Sequence, residues 1–155
     1  LPSAYHTPDH REARAAAMQG AFMAGVAFSN ASVCLVHGMS RPIGACFHVP
    51  HGLSNAMLLP AVTRFSLDAA RSRYADVARA MGLADETALP DALDALNAEL
   101  NMQTPRTYGI DPEAWQQRLA KMADDALASG SPANNPKPAT ADEIIALYEQ
   151  AYDAE

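Results

Sequence analysis

The sequence predicts an all-α domain of about seven helices, and three observations carry that reading. Helix-start signals recur at Thr7-Pro8-Asp9, Leu89-Pro90-Asp91, Asp111-Pro112-Glu113 and Thr140-Ala141-Asp142-Glu143. Each sets a capping side chain, an early proline or a first-turn acid where a helix begins. Apolar residues follow at helical spacing, as in Leu93, Leu96, Leu100 and in Trp115, Leu119, Met122. No stretch alternates apolar and polar residues as a half-buried strand does.

Taken in order, Thr7-Pro8-Asp9 opens the first helix, which runs over Arg11 to Ser29 with Met18, Phe22 and Val26 near helical spacing. Gly20 and Gly25 cost helix propensity; they mark close helix–helix approach or are simply tolerated. Val33 to Phe47 is the second helix, kinked or interrupted before Pro42, because proline lacks a donor and disfavours helix at the residue before it. Pro50 sits in the first turn of a third, which passes through Leu53, Met57, Leu58 and Val62 with a kink at Pro60.

Leu67 to Met81 forms a fourth helix, stopped by Gly82. Leu89-Pro90-Asp91 starts the fifth, and Asp111-Pro112-Glu113 the sixth, through Trp115, Leu119, Met122 and Leu127 to Gly130. Residues 131–138, with three prolines, read as a stiff surface loop. Thr140 and Glu143 form a capping box for the last helix, whose Ile144, Leu147, Tyr148 and Tyr152 face inward. Trp115, Tyr148 and the Leu/Met stripes are core.

A length of 155 residues suits one domain over residues 1–155, since about 100–200 residues per domain is usual. The net charge of −7, with eleven scattered Lys and Arg, supplies no basic patch for a phosphate backbone, so nucleic acid is not an expected partner. No run approaches the roughly 18–20 apolar residues of a membrane span. The start, Leu1-Pro2-Ser3-Ala4-Tyr5, does not read as a signal peptide, lacking its basic and apolar regions, and a cytoplasmic location is expected. Cys34 and Cys46 lie in apolar segments without a CxxC, as buried thiols of a reducing compartment do. A strand followed by a Gly-rich turn is also missing from the pattern, so no dinucleotide-binding unit is read here.

One stretch stands apart. Residues 30–52 hold three of the five histidines and three of the eight glycines, at His37, His48, His51 and Gly38, Gly44, Gly52. The pattern is apolar helix, Pro/Gly break, then His48-Val49-Pro50-His51-Gly52 opening another helix. His37 and His51 are fourteen positions apart on successive segments, so a turn lets their imidazoles converge. By spacing alone such a pair is more often structural than metal-binding, because neither HExxH nor a Cys/His cluster is present.

Val36-His37-Gly38-Met39, Pro42-x-Gly44-Ala45 and Pro50-His51-Gly52-Leu53-Ser54-Asn55-Ala56, continuing into Leu58-Leu59-Pro60, resemble the iron-containing (group III) alcohol dehydrogenase family. The resemblance spans essentially the whole chain but only the helical C-terminal half of a family member. It implies that His37 and His51 are ligands of a divalent metal, Fe2+ or Zn2+. It also implies a parent reaction of NAD(P)-linked alcohol oxidation or aldehyde and ketone reduction. The family's other two ligands, an Asp and a His one helical turn apart on an upstream helix, have no counterpart: Asp9 and His10 are adjacent, and Pro8 lies between His6 and His10.

Arg41 stands four residues after His37, where many relatives carry another histidine. There it suits an anionic substrate or a cofactor phosphate, or equally a salt bridge at a helix end. His48 lines the substrate pocket or hydrogen-bonds backbone at the turn. The resemblance implies a small alcohol or aldehyde as substrate, a separate nucleotide-binding half as partner, and no turnover by this chain alone. The alternative is a non-catalytic interaction module that pairs with a copy of itself into a homo-oligomer through the face a second domain once covered.

Overall fold

The structure, a computed structural model, describes residues 1–154. Among these there is no strand. The α-helices are α1 Pro2–His6, α2 Arg11–Ala31, α3 Leu35–Phe47, α4 His51–Ser66, α5 Arg71–Ala80, α6 Leu89–Glu99, α7 Pro112–Ala128 and α8 Ala141–Tyr152. Seven of them have ten residues or more; α1 has five. Short 3-10 turns at Leu67–Ala70, Glu86–Ala88 and Ser131–Asn134 complete the chain.

The core lies among α3, α4, α7 and α8. Leu35, Met39 and Ile43 of α3 meet Leu58 and Val62 of α4, Trp115 and Met122 of α7, and Ile144 and Tyr148 of α8. Trp115 is fully buried, with ring centres 5.4 Å from Phe47, 5.8 Å from Tyr148 and 5.5 Å from Tyr152. The two tyrosines carry their hydroxyls into the interior and satisfy them there. Tyr148 Oη donates to the Met39 carbonyl at 2.7 Å, and Tyr152 Oη to the Ile110 carbonyl at 2.9 Å. Burial pushes the Tyr148 hydroxyl far above the usual tyrosine range, so it stays a donor.

Local signals set several ends as expected. Asp111 accepts from Ala114 N–H at 2.9 Å at the start of α7. Thr140 and Glu143 form the reciprocal capping box of α8. Gly82, at φ +75°, follows α5 in the left-handed conformation that glycine adopts without strain. Other expectations are corrected. Thr7 ends α1 instead of starting α2, whose cap is His10, accepting from Ala13 N–H at 3.2 Å through Nδ1. The fourth predicted helix divides into the 3-10 turn at Leu67–Ala70 and α5, and Leu127 is exposed. Leu93, Leu96 and Leu100 are only half-buried.

The interruption considered before Pro42 does not form, for a physical reason. Pro42 lies inside a continuous α3. Its missing hydrogen bond and ring clash cost about 3 kcal/mol. Leu35, Met39 and Ile43, all fully buried on that helix, return about 1.5–3 kcal/mol each, which keeps α3 helical. Pro60 likewise lies within α4. Its absent N–H frees the Ala56 carbonyl, and Asn97 of α6 fills the vacancy, Nδ2 donating at 2.8 Å.

The expected surface loop at 131–138 is partly interior: Ser131, Pro132 and Asn135 are buried, and Asn135 Nδ2 donates to Ser66 Oγ at 2.8 Å. Pro132 packs on Gly38, where an added Cβ would lie 2.9 Å from two carbons of the proline ring. Gly20 and Gly25 meet nothing within 4 Å, so within these residues they serve no close approach. Nor are the thiols buried as expected: Cys34 is exposed and Cys46 intermediate, because Cys34 is the N-cap outside the packed part of α3.

Two substitutions test this packing by urea denaturation. Gly38→Ala is expected to destabilise by about 1–3 kcal/mol, because a ring carbon, unlike a flexible side-chain end, cannot move aside. Asn97→Ala is expected to cost about 1–3 kcal/mol by orphaning the Ala56 carbonyl. In a Pro60→Ala background, where residue 60 regains its N–H, the same Asn97→Ala change should cost much less. Equal costs in both backgrounds would refute the link.

Candidate functional site

The corner between α3 and α4 is built by three residues. His48 ends α3 in the left-handed conformation, φ 56° and ψ 26°, and its N–H reaches the Gly44 carbonyl at 3.0 Å. A non-glycine residue there is uncommon, although histidine is among those enriched in it. Val49 turns inward and is buried. Pro50 then caps α4 at φ −55° and ψ 137°, one position earlier than its expected place in the first turn.

The chain closes tightly over Gly44, where a Cβ would sit 3.4 Å from the Val49 carbonyl oxygen. His37 thus lies in the first turn of α3 and His51 opens α4.

The two imidazoles converge: their ring centres are 5.3 Å apart, tilted by 58°. Two imidazole nitrogens on one tetrahedral ion, at bonds of about 2.0–2.1 Å, put ring centres about 5 Å apart. His37 is half-buried, and its pKa is lowered by burial first, then by the neighbouring His51 and by the Arg41 charge. All three causes favour the neutral ring, whose lone pair can bind a metal. The Phe28 ring of α2 stands 6.2 Å from the His37 ring, centre to centre. His51 is exposed, and its Nε2 lies 3.1 Å from Asn55 Nδ2, one turn along α4.

Asn55 is a contributor to which sequence reasoning gave no role. Its place four residues after His51, on the same helix face, was the available signal. Its Oδ1 is buried with no hydrogen-bond partner among the described residues. A half-turn of the amide exchanges oxygen and nitrogen at little steric cost, so Asn55 can either donate to His51 or accept from it.

The other two candidates do not join the pair by any hydrogen bond. Arg41 is exposed and donates from Nη1 to Ser131 Oγ at 3.0 Å; the salt bridge considered for it is not formed among the described residues. His48 is exposed, and its carbonyl accepts from Tyr108 Oη at 3.3 Å. Among the described residues no three His, Cys, Asp or Glu side chains gather as a metal site. His37 and His51 therefore fit one edge of a metal's coordination shell and do not complete it.

A cleft of about 940 Å³ opens away from this corner, between α4, α6 and residues 102–107. The charged residues that line it are paired with one another: Arg64 with Asp94, and Arg106 with Asp153. Among the described residues that leaves it without an unpaired ion to fix a ligand, and the chemistry stays with the histidine corner.

Comparison with known proteins gives the family and the fold. The family described as Fe-containing alcohol dehydrogenase family, C-terminal, matches residues 1–152. Lactaldehyde reductase of Escherichia coli K12 is 37% identical over 142 residues, covering 86% of this chain and 36% of that protein. The NADPH-dependent butanol dehydrogenase of Clostridium saccharobutylicum is 36% identical over 149 residues, 92% of this chain and 38% of the relative. The iron-containing alcohol dehydrogenase of Thermococcus thioreducens superposes with a TM-score of 0.87 at 34% identity, over 99% of this chain and 42% of that one. The chain thus spans about two-fifths of the length of the relatives it matches. It belongs to the Fe-containing alcohol dehydrogenase family, whose C-terminal region it represents.

Proposed function

We propose that this chain is the metal- and substrate-side helical domain of an NAD(P)-dependent alcohol dehydrogenase, acting on a small alcohol or aldehyde in the cytoplasm. The observation that carries the reading is the convergence of His37 and His51 across the α3–α4 turn, 5.3 Å between ring centres. These two residues would hold Fe2+ or Zn2+, which when bound supplies Lewis-acid polarisation of the substrate oxygen. His37 contributes a ring kept neutral by burial and adjacent positive charge. Asn55 restrains the otherwise exposed His51 ring. Arg41 and His48 stand at the solvent side, where a substrate would enter, Arg41 offering a fixed charge to an anionic group.

The chain alone is an incomplete enzyme on this reading. Both imidazoles sit in first turns of helices, where the backbone dipoles oppose a cation. Two neutral rings bring no negative charge, and a carboxylate from elsewhere has to supply it. Residues 1–155 act as one helical domain, and a separate nucleotide-binding half has to place the nicotinamide. Among the described residues there is no strand on which such a unit is built. Held reactants gain effective molarities of about 10⁵–10⁸ M, and a cofactor meeting substrate by diffusion forgoes that gain.

A second reading has its own observation: α2 exposes Met18, Phe22 and Met23. It makes the chain a non-catalytic assembly module that forms a homo-oligomer. Light scattering at high micromolar concentration separates the two, since a clean monomer excludes homo-oligomerisation.

Calorimetric titration of the chain with Zn2+, and anaerobically with Fe2+, is expected to show weak binding that is lost in His37→Ala and in His51→Ala. NAD(P)H formation from short alcohols is expected only after a nucleotide-binding half is added. Turnover by the chain alone that disappears in either variant would show the site to be complete and overturn the reading.

A further inference from the structure

Helix α2 has 21 residues and not one of them is buried. Its principal packing partner is the five-residue α1, Phe28 near its end stands beside His37, and the chain then turns by 105° into α3. From Ala15 to Phe28 the one side chain with a hydrogen-bonding group is Gln19. Met18, Phe22 and Met23 are 74%, 71% and 61% exposed, with Val26 and Phe28 also open.

The distribution of these side chains is as informative as their number. Met18, Phe22 and Val26 follow one line, at i, i+4 and i+8. At 3.6 residues per turn, Met23 and Phe28 stand roughly 100–120° to either side of that line. Such a helix is apolar all round, and a helix of that kind belongs inside a larger core or a membrane. Among the described residues no single helix is long and apolar enough to cross a membrane. The bent α2–α3 pair passes that test by composition, but α3 is committed to the protein core.

We infer that α2 is the seat of the polypeptide that makes up the rest of the family's length, and that this polypeptide surrounds the helix on several sides. A second copy of the chain fits less well. Two-fold pairing of α2 with itself buries one stripe and leaves the other two lines in water. About 64% of the lactaldehyde reductase of E. coli K12 lies outside the matched stretch, and the matched family region is C-terminal, so ample chain precedes it in the relatives. Gly20 and Gly25, with open space around them, admit close approach of incoming helices. The inference rests on family membership and the apolar surface, not on metal binding. It adds that the covering polypeptide reaches the histidine corner, because Phe28 on α2 adjoins His37.

The test joins the portion of E. coli lactaldehyde reductase that precedes its matched stretch to Leu1 of this chain, in metal-free buffer. Amide hydrogen exchange is followed over residues 15–28 in the fusion and in the chain alone. Exchange in the fusion is expected to slow at least ten-fold, and Phe22→Asp is expected to abolish that protection while the helical circular dichroism of the isolated chain stays unchanged. Enhanced fluorescence of NADH or of NADPH verifies that the added half has folded; if it binds neither, the same exchange is read on the chain co-expressed with that half.

Equal exchange with and without a folded half overturns the inference. So does protection in the chain alone that grows with concentration, which assigns the face to a second copy. Protection only by phosphatidylglycerol vesicles assigns it to a lipid surface and overturns the inference as well. Metal titration is a separate measurement, so loss of the metal reading leaves this outcome intact.

Discussion

The burial of α3 is the constraint on which the rest of the molecule depends. Leu35, Met39 and Ile43 are each fully shielded, and Gly38 lets the Pro132 ring lie directly on the helix. Tyr148 adds a hydroxyl that burial keeps protonated, donating to the Met39 carbonyl. Together these hold α3 helical through Pro42, against the tendency of proline to end a helix. A broken α3 would carry His37 and the left-handed His48 on independent segments. An intact one makes the distance between His37 and the start of α4 a property of the core and not of a loop.

Much of this was legible from the chain itself, and the failures share a cause. Caps at Asp111 and Thr140 are local, and both formed as read. That α3 runs unbroken through Pro42, and that α4 accommodates Pro60, depends on groups far along the sequence: core side chains for one, Asn97 for the other. Residues 131–138 looked like surface for the same reason, since nothing near Pro132 announces that it rests on Gly38. At the site, spacing alone left the two histidines ambiguous. Their motif singled them out, and the geometry brought the rings together. Asn55 carried only an i+4 signal, too common to mean anything before its contact with His51 was seen.

The contrast between α2 and α3 divides the molecule. The two helices are adjacent in sequence and both apolar, yet α3 is packed on α4, α7 and the 3-10 turn at residues 131–134, while no residue of α2 is buried. Composition could not tell them apart, because hydrophobicity says that a helix wants burial and not where the burying surface is. The junction itself is held: Asn134 donates to Ser32 Oγ and to the Val33 carbonyl, tying the end of α2 to the 3-10 turn at residues 131–134. α2 is thus presented at a fixed point beside the histidine corner.

That placement links packing to chemistry. His37 is shielded on its α3 side by the core and faces Phe28 on the other. With α2 bare, water reaches this edge and the local dielectric stays high. Covering α2 excludes that water and strengthens each electrostatic interaction at the corner. The same change makes charge balance decisive. In a drier site a divalent ion on two neutral imidazoles, placed at two helix N-termini, carries uncompensated charge, and desolvation raises its cost. A carboxylate reverses the sign of that effect, because low dielectric then deepens the attraction. On the proposed reading, a polypeptide covering α2 and a carboxylate neutralising the ion would therefore be most effective together. A dry corner without the carboxylate would expel the ion, and a carboxylate at a wet corner would bind it weakly.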